Sequence, residues 1–279
     1  MISKIPAEPK ATEKSVRLST LSGIFYPKNE PELKELLSAL FASTVTSVSD
    51  PYGILVPHAG YIYSGQTAAC GYAKISPAFA GTFVLIGPSH TGVDTSTSDM
   101  IWETPIGNVL PDLDFIEALS SSVPVDNDLI SIKENSLEVQ IPFIRYRFPK
   151  AKIVPILMGD QSPRGAERVA QAVLSAAKTT GIRPIIIASG DGSHYVQAKI
   201  AEQNDLTVLA AIRNLDTSAF YDALSRLRPS MCGFGCIAAM AEICASFGAK
   251  EARVILYQTS GDVTGDLTEV VGYAAMEVV

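Results

Sequence analysis

Short apolar runs that alternate with helical patterns are the feature that most restricts the fold of this sequence. Each run is followed closely by Gly, Pro or Ser and predicts a buried strand; the runs cover residues 53–56, 82–86, 152–157, 184–188 and 252–257. Apolar residues at helical spacing predict helices over 31–43, 166–177 and 206–212. Because alternating strands and helices form layers, we expect an α/β fold with a mostly parallel central sheet flanked by helices. Two further predicted strands, 101–108 and 270–279, allow antiparallel edges on that sheet.

The length and composition predict one globular domain. The chain has 279 residues, of which 47% are apolar and 18% are charged, so it can bury a large core and is not disordered. Residues 1–15 mix Lys, Glu and Pro without a periodic pattern, and we expect a polar N-terminal tail there. No internal repeat or linker composition divides residues 16–279, which predicts a single domain.

The charge of the chain excludes one class of partner. With 22 Lys and Arg against 29 Asp and Glu, it can hardly form the basic face that nucleic acids require. The sequence has no secretion signal and no long apolar stretch, so we expect a cytoplasmic protein without a membrane partner. The four cysteines lack the spacing of a disulfide framework, and we expect reduced thiols. A small molecule or a peptide is the expected partner, and the apolar content permits a homodimer.

The three histidines of the chain each follow a predicted buried strand. His58 follows the run 53–56, His90 follows the run 82–86, and His194 follows the run 184–188. Ligands of open α/β sheets bind beyond the carboxyl ends of the strands, so the three imidazoles are predicted to meet at one edge of the sheet. A single histidine is usually structural, but three in such loops favour a shared site.

Cys232 is the fourth candidate residue of this site. It precedes an apolar helical stretch that ends near Phe247, and the positive end of a helix dipole favours the thiolate that binds metals or attacks carbon. Asp191, three residues before His194, is expected to orient that imidazole, or else to be a turn aspartate. The glycines of Gly233-Phe-Gly-Cys-Ile-Ala238 have no preceding strand, so we expect a close backbone approach to the site rather than a dinucleotide motif.

Two tyrosines and two glutamates have expected positions as well. Tyr61 and Tyr63 follow His58 and either line a pocket or pack in the core. Glu134 is expected at the start of a helix, and Glu138 on the solvent-facing side of a helix.

The candidate residues permit two kinds of chemistry. Two imidazoles and the Cys232 thiolate would form a three-ligand metal site with an open coordination position, and nitrogen with sulfur suits iron, zinc or copper. The remaining histidine would be free to move protons. A metal-free alternative uses Cys232 as nucleophile, His194 as base and Asp191 to orient it, but leaves His58 and His90 without a role.

Seven motifs occur along the chain in a characteristic order. They are Ser22-Gly-Ile-Phe-Tyr-Pro27, Val56-Pro-His-Ala-Gly-Tyr-Ile-Tyr-Ser-Gly65, Ile86-Gly-Pro-Ser-His90, Glu134-Asn-Ser-Leu-Glu-Val-Gln140, Ser189-Gly-Asp-Gly-Ser-His-Tyr195, Cys232-Gly and Ser260-Gly-Asp-Val-Thr-Gly-Asp266. This order resembles that of the Memo family over residues 16–279. The family is similar in fold to the catalytic subunit of class III extradiol ring-cleaving dioxygenases, which are non-haem iron enzymes.

The resemblance implies roles for individual residues. His58 and His90 match the two metal-binding histidines of the family, and Cys232 matches the cysteine that stands where the dioxygenases carry a carboxylate ligand. His194 matches the acid/base histidine of the dioxygenases, and Asp191 matches the aspartate just upstream of it. Within the seven motifs we expect four residues to line the pocket: Tyr61, Tyr63, Phe25 and Asn135.

The resemblance also implies one divalent metal ion, with iron as the first choice and copper or zinc as alternatives. Asn135 stands where many members carry histidine, so we expect no activity that needs a fourth imidazole there. The expected function is a metal-dependent oxidoreductase whose substrate the sequence does not identify. Two alternatives remain open: a cleft that binds a peptide or small anion without catalysis, and a hydrolase that uses Cys232 or a zinc-activated water.

Overall fold

The computed structural model describes residues 15–45 and 47–279, so residues 1–14 of the predicted tail lie outside the described residues. The strands in the described ranges are β1 (Val16–Arg17), β2 (Gly53–Val56), β3 (Thr82–Pro88), β4 (Ser96–Thr97), β5 (Ile101–Trp102), β6 (Leu110–Pro111), β7 (Lys152–Met158), β8 (Ile185–Ser189), β9 (His194–Val196), β10 (Ala252–Thr259) and β11 (Val270–Val278). The helices there are α1 (Glu30–Ala42), α2 (Tyr61–Ala73), α3 (Leu113–Leu119), α4 (Asn127–Ser131), α5 (Asn135–Glu138), α6 (Ile141–Arg147), α7 (Pro163–Thr180), α8 (Ala198–Ala211), α9 (Thr217–Leu227), α10 (Phe234–Phe247) and α11 (Gly261–Thr264). Among these helices, none combines the length and the apolarity needed to cross a membrane.

Parallel strands form the middle of the main sheet. They lie in the order β2-β8-β3-β7, with β11 and then β10 added antiparallel beside β2 and the short β4 antiparallel beside β7. In addition, β6 pairs with β7 and β9 pairs with β11. The predicted α/β fold, with a parallel centre and antiparallel edges, is confirmed.

The central strands separate two apolar cores. All seven residues of β3 are buried, and their side chains alternate in direction. Val84 and Ile86 contact one core, under α3, α7 and α10, whereas Phe83 and Leu85 contact the other, under α1, α2 and α6. A strand covered on both faces needs apolar residues at successive positions, which explains why the sequence shows continuous apolar runs instead of alternation.

Two strand predictions are corrected by the structure. The strand predicted over 101–108 is limited to β5, which pairs with β1 in a separate two-stranded sheet. Pro105 follows it, and Gly107, with φ +114°, donates its N–H to the Thr104 carbonyl at 3.0 Å in a turn that ends the extended chain. The run 252–257 is part of β10, whose middle residues are half-buried or exposed, because in the described ranges only β11 pairs with it.

The buried carboxylate of Glu138 attaches the N-terminal segment, residues 17–26, to the rest of the domain. Its Oε2 accepts hydrogen bonds from the Arg17 guanidinium at 2.6 Å and the Thr20 hydroxyl at 2.8 Å. Its Oε1 accepts from the Leu21 N–H at 2.6 Å and the Tyr26 hydroxyl at 2.9 Å. The prediction that Glu138 faces solvent is therefore wrong, because this segment covers the helix face that carries it.

Replacing Glu138 with alanine is expected to destabilise the fold by roughly 3–5 kcal/mol, because the Arg17 charge would stay buried without its partner. The side chain of Arg17 is only 2% exposed. The free energy of unfolding, measured by denaturant titration, reports the loss. The matched control is Glu30→Ala, which removes an exposed ion pair with Lys34 and is expected to change the unfolding free energy little. Equal losses in both variants would contradict this role of Glu138.

Candidate functional site

The carboxyl ends of three neighbouring strands bring the predicted site residues to one edge of the sheet. The chain passes from β2 to His58, from β3 to His90 and from β8 to Asp191. His194 begins β9, and Cys232 lies just before α10. Ligand atoms of His58, His90 and Cys232 lie within 4.8 Å of one another, and so do those of Asp191, His194 and Cys232. The residues predicted for metal binding and for catalysis therefore surround one sulfur atom.

The closest pair of candidate ligands has a spacing suited to a shared ion. His58 Nε2 and Cys232 Sγ are 3.2 Å apart, and the rings of His58 and His90 lie edge to face with centroids 5.1 Å apart. Zinc bonds of about 2.0 Å to nitrogen and about 2.3 Å to sulfur at a tetrahedral angle would place those two atoms about 3.5 Å apart. A shift of a few tenths of an ångström would therefore admit an ion between them.

Glu134 sets the orientation of His90. Its Oε1 accepts a hydrogen bond from His90 Nδ1–H at 2.8 Å, and its Oε2 accepts from the His90 backbone N–H at 2.7 Å. Glu134 also accepts a hydrogen bond from the Ser136 N–H at 3.0 Å and caps α5. The prediction that Glu134 starts a helix is confirmed. Burial opposes ionisation of Glu134, but these hydrogen bonds lower its pKa to about 2, and the same contact raises the pKa of His90. Because Nδ1–H is held by a carboxylate, Nε2 of His90 is left free for a ligand bond.

Burial changes the expected chemistry of Cys232. The sequence predicts a thiolate at a helix N-terminus, but burial and then the charge of Asp191 raise the pKa of the thiol well above its ordinary value. The thiol therefore keeps its proton and can donate it to the Nε2 lone pair of His58. The prediction from the dipole is corrected: a thiolate here needs a positive charge close by, such as a metal cation supplies.

Asp191 holds His58 rather than His194. Its Oδ1 accepts the His58 backbone N–H at 2.8 Å, and its Oδ2 lies 3.7 Å from His58 Nε2. The carbonyl of Ser230 instead accepts His194 Nδ1–H at 2.8 Å, and the Ser230 hydroxyl accepts the His194 backbone N–H at 2.7 Å. The predicted orienting partner is corrected, because the chain leading to Cys232 runs beside His194 and offers it a backbone carbonyl.

Two of the predicted pocket residues support the loop that carries His58. Asn135 donates from Nδ2 to the His58 carbonyl at 3.0 Å. Phe25 is half-buried, and its carbonyl accepts the N–H of Tyr61 at 2.8 Å at the start of α2. Both contacts involve the backbone next to the site.

The tyrosines near the site occupy different environments. Tyr61 packs in the core, where it is 3% exposed and donates its hydroxyl to a backbone carbonyl at 2.5 Å. Tyr63 is 40% exposed, and Tyr195, with φ +57°, is 75% exposed. Burial, followed by the charges of Asp191, Tyr63 and Tyr195, raises the pKa of Tyr273. The sequence analysis missed Tyr195 and Tyr273; Tyr195 directly follows His194, which is a signal for it in the sequence, whereas Tyr273 lies within β11 and has no such signal.

A fully buried aspartate, also missed from the sequence, supports the loop before β9. Asp205 accepts hydrogen bonds from the Ser193 N–H at 2.9 Å, the Ser193 hydroxyl at 2.7 Å and the Tyr257 hydroxyl at 2.8 Å. A Cβ on Gly192 or Gly272 would lie 2.2 Å from Asp205 Oδ2, so both positions need glycine. Gly272 inside a strand was the available signal, since such glycines mark the close approach of another group.

Gly233 allows the chain beside Cys232 to pack against the end of β8. It has φ +70°, and a Cβ there would lie 2.5 Å from the Ser189 carbonyl oxygen. Gly235 instead passes a different loop, where its Cβ would lie 2.6 Å from the Cα of Gln161. The predicted close approach at the site therefore belongs to Gly233.

Gly233→Ala is expected to destabilise the fold by more than the roughly 1–2 kcal/mol that a left-handed backbone costs a residue with a Cβ. The excess comes from the clash with β8. The matched control is Gly181→Ala, because Gly181 has φ +71° and its Cβ would meet no atom within 4 Å. Free energies of unfolding measure both effects, and equal losses would contradict the tight packing at Gly233.

Comparisons with known proteins show similarity along almost the whole chain. A family model described as Memo-like protein matches residues 17–277. A MEMO1 family protein of Methanosarcina acetivorans is 40% identical over 266 residues, which cover 94% of this chain and 99% of the relative. MEMO1 family proteins of Archaeoglobus fulgidus and Methanocaldococcus jannaschii are 37% and 34% identical, over 94% and 93% of this chain and 98% of each relative. The matched range includes every residue of the site described above.

Proposed function

Since this chain belongs to the Memo-like protein family, we propose that its site binds a metal ion and that the protein is a metal-dependent oxidoreductase. His58, His90 and Cys232 would hold the ion, and His194 would exchange protons beside it. The observation that carries the proposal is the convergence of two ring nitrogens and one sulfur within 4.8 Å. The substrate that we expect is a small molecule or a peptide.

The residues present suit a borderline transition metal. Two imidazole nitrogens and one sulfur leave a coordination position open, as catalytic metal sites do. The Glu134 carboxylate behind His90 is the outer partner that metal-binding histidines commonly have. Nitrogen and sulfur donors suit iron, copper and zinc. The similarity in fold to non-haem iron enzymes, which the family resemblance implies, makes iron our first choice.

The protein's own groups would prepare the site and handle protons, while a bound iron or copper ion would supply one-electron chemistry at an open position. Cys232 would release its proton as the ion binds, because the bound form of the ligand is the thiolate. His194 is half-buried, with Nδ1–H held by the Ser230 carbonyl, so Nε2 is available to take or give a proton. Asp191 would keep the His58 backbone in place through their 2.8 Å hydrogen bond.

One alternative function has an observation of its own. The exposed rings of Tyr63 and Tyr195 favour a cleft that binds a peptide or small anion without catalysis, and such binding would persist after removal of metal. Hydrolysis by Cys232 is disfavoured, because burial raises the pKa of the thiol. Hydrolysis by a zinc-activated water would require zinc as the bound ion, which elemental analysis of the protein tests.

Protein purified without chelator, or reconstituted with iron(II), is expected to carry about one metal ion per chain, held by three protein ligands. His58→Ala and Cys232→Ala are each expected to lose the ion, because each variant removes one ligand. Elemental analysis normalised to protein concentration measures the metal content. The matched control is Cys70→Ala, since Cys70 is a buried free cysteine of α2 outside the site, and this variant is expected to keep the ion.

The redox part of the proposal is tested on the same samples. The iron-loaded parent is expected to show a reversible change of oxidation state in voltammetry, and His58→Ala is expected to show none. A parent that holds no iron, copper or zinc after reconstitution would contradict the metal site. Zinc as the only ion retained would contradict the oxidoreductase and favour hydrolysis.

Metal binding is expected to release about one proton per ion at neutral pH, because a buried thiol must become a thiolate. The pKa of Cys232 is raised, so the metal-free thiol is protonated at neutral pH and the affinity for metal should increase as the pH increases. Calorimetric titrations in buffers of different ionisation enthalpy count the released protons. Tight binding without proton release would mean that Cys232 is not a thiolate ligand.

A further inference from the structure

We propose that Ser189 and Gln140 are positioning residues that hold His58 as the tautomer with its proton on Nδ1, so that the Nε2 lone pair faces the site. This inference deepens the proposed function and rests on it for the link to metal binding. It depends on the donors and acceptors around one buried hydroxyl group.

The hydroxyl group of Ser189 has three hydrogen-bonding neighbours. Its Oγ lies 2.6 Å from the Ser136 carbonyl oxygen, 2.9 Å from Gln140 Nε2 and 3.0 Å from His58 Nδ1. A serine hydroxyl offers one proton and two lone pairs. Because a carbonyl can only accept, the single proton of Ser189 goes to Ser136. The two lone pairs then accept from Gln140 and from His58, so Nδ1 of His58 must carry a proton.

The orientation of the Gln140 amide is fixed independently. Its Nε2 donates to the Pro57 carbonyl at 2.8 Å, and its Oε1 accepts from the Tyr72 hydroxyl at 3.0 Å. An amide turned the other way would face the Pro57 carbonyl with oxygen and leave two acceptors in contact. The side chains of Gln140, Ser189 and Tyr72 are fully buried, so water does not replace any of these partners.

The opposite tautomer of His58 would disrupt this arrangement. With the proton on Nε2, the lone pair of Nδ1 would face a lone pair of Ser189, unless the hydroxyl turned away from Ser136. That turn would leave a buried carbonyl without its hydrogen bond. The protein thus selects the tautomer that can bind a metal before any ion arrives. It does so with a neutral acceptor, in contrast to the carboxylate of Glu134 behind His90.

The tautomer is measured directly in the metal-free protein. Imidazole ¹⁵N chemical shifts distinguish protonated from unprotonated ring nitrogens, and the chain has only three histidines, so a His58→Gln variant identifies the signals of His58. In the wild type we expect a protonated Nδ1 and an unprotonated Nε2. In Ser189→Ala, which removes the acceptor, we expect a mixture of tautomers.

Metal affinity supplies the second measurement, with cobalt(II) as the probe. Ser189→Ala is expected to weaken cobalt binding about 10–100-fold, as the loss of outer partners of metal-binding histidines commonly does. The matched control is Ser98→Ala. The Ser98 hydroxyl is equally buried but donates to Asn127 Oδ1 at 2.8 Å and accepts from the Met100 N–H at 3.1 Å. This control is expected to leave both the His58 tautomer and the cobalt affinity unchanged.

The outcomes separate this inference from the proposed function. A wild-type His58 with the proton on Nε2 overturns the inference, and so does a Ser189→Ala variant with the wild-type tautomer and the wild-type cobalt affinity. A wild type that binds no cobalt and no iron contradicts the proposed function, while the tautomer measurement still decides the inference. If Ser189→Ala does not fold, Gln140→Met is measured in its place. A Gln140→Met variant with the wild-type His58 tautomer and the wild-type cobalt affinity would show that Gln140 has no positioning role.

Discussion

The parallel pairing of β2, β8 and β3 is the constraint on which the whole site depends. Parallel neighbours lie about 4.8 Å apart and end at the same edge, so the loops that follow them are held side by side. This geometry brings His58, His90 and Asp191 together although more than 130 residues separate the first from the last. Cys232 completes the site from a different direction, and it reaches the others because Gly233 permits close packing against β8.

A second regularity concerns the acceptors behind the imidazoles. The Nδ1 atoms of the three histidines face three different groups, which are the hydroxyl of Ser189, the carboxylate of Glu134 and the carbonyl of Ser230. Each group holds Nδ1 and leaves Nε2 to other partners, which for His58 is the Cys232 thiol at 3.2 Å. In such a site the imidazole rings are oriented before a ligand binds. Binding therefore does not carry the entropy cost of ordering them.

The sequence predicts the fold and the convergence of the site residues, because both follow from local patterns and from a general rule about strand ends. It does not predict the hydrogen-bond partners. Glu138 contacts Arg17 across 121 positions, and its own helix gives no sign that its face is covered. Closeness in sequence favours a pairing of Asp191 with His194, yet the chain turns so that Asp191 contacts His58 instead. The helix dipole favours a thiolate at Cys232, whereas burial raises the pKa of the thiol.

The short helix α5 provides a further connection between the segment 17–26 and the site. Glu134 at its start hydrogen-bonds the His90 imidazole, and Glu138 at its end hydrogen-bonds the segment 17–26. A four-residue helix is too short to unfold at one end and remain helical at the other. The segment 17–26 and the His90 imidazole are therefore expected to unfold as one cooperative unit. A partner that displaced the segment would then also free the imidazole from Glu134.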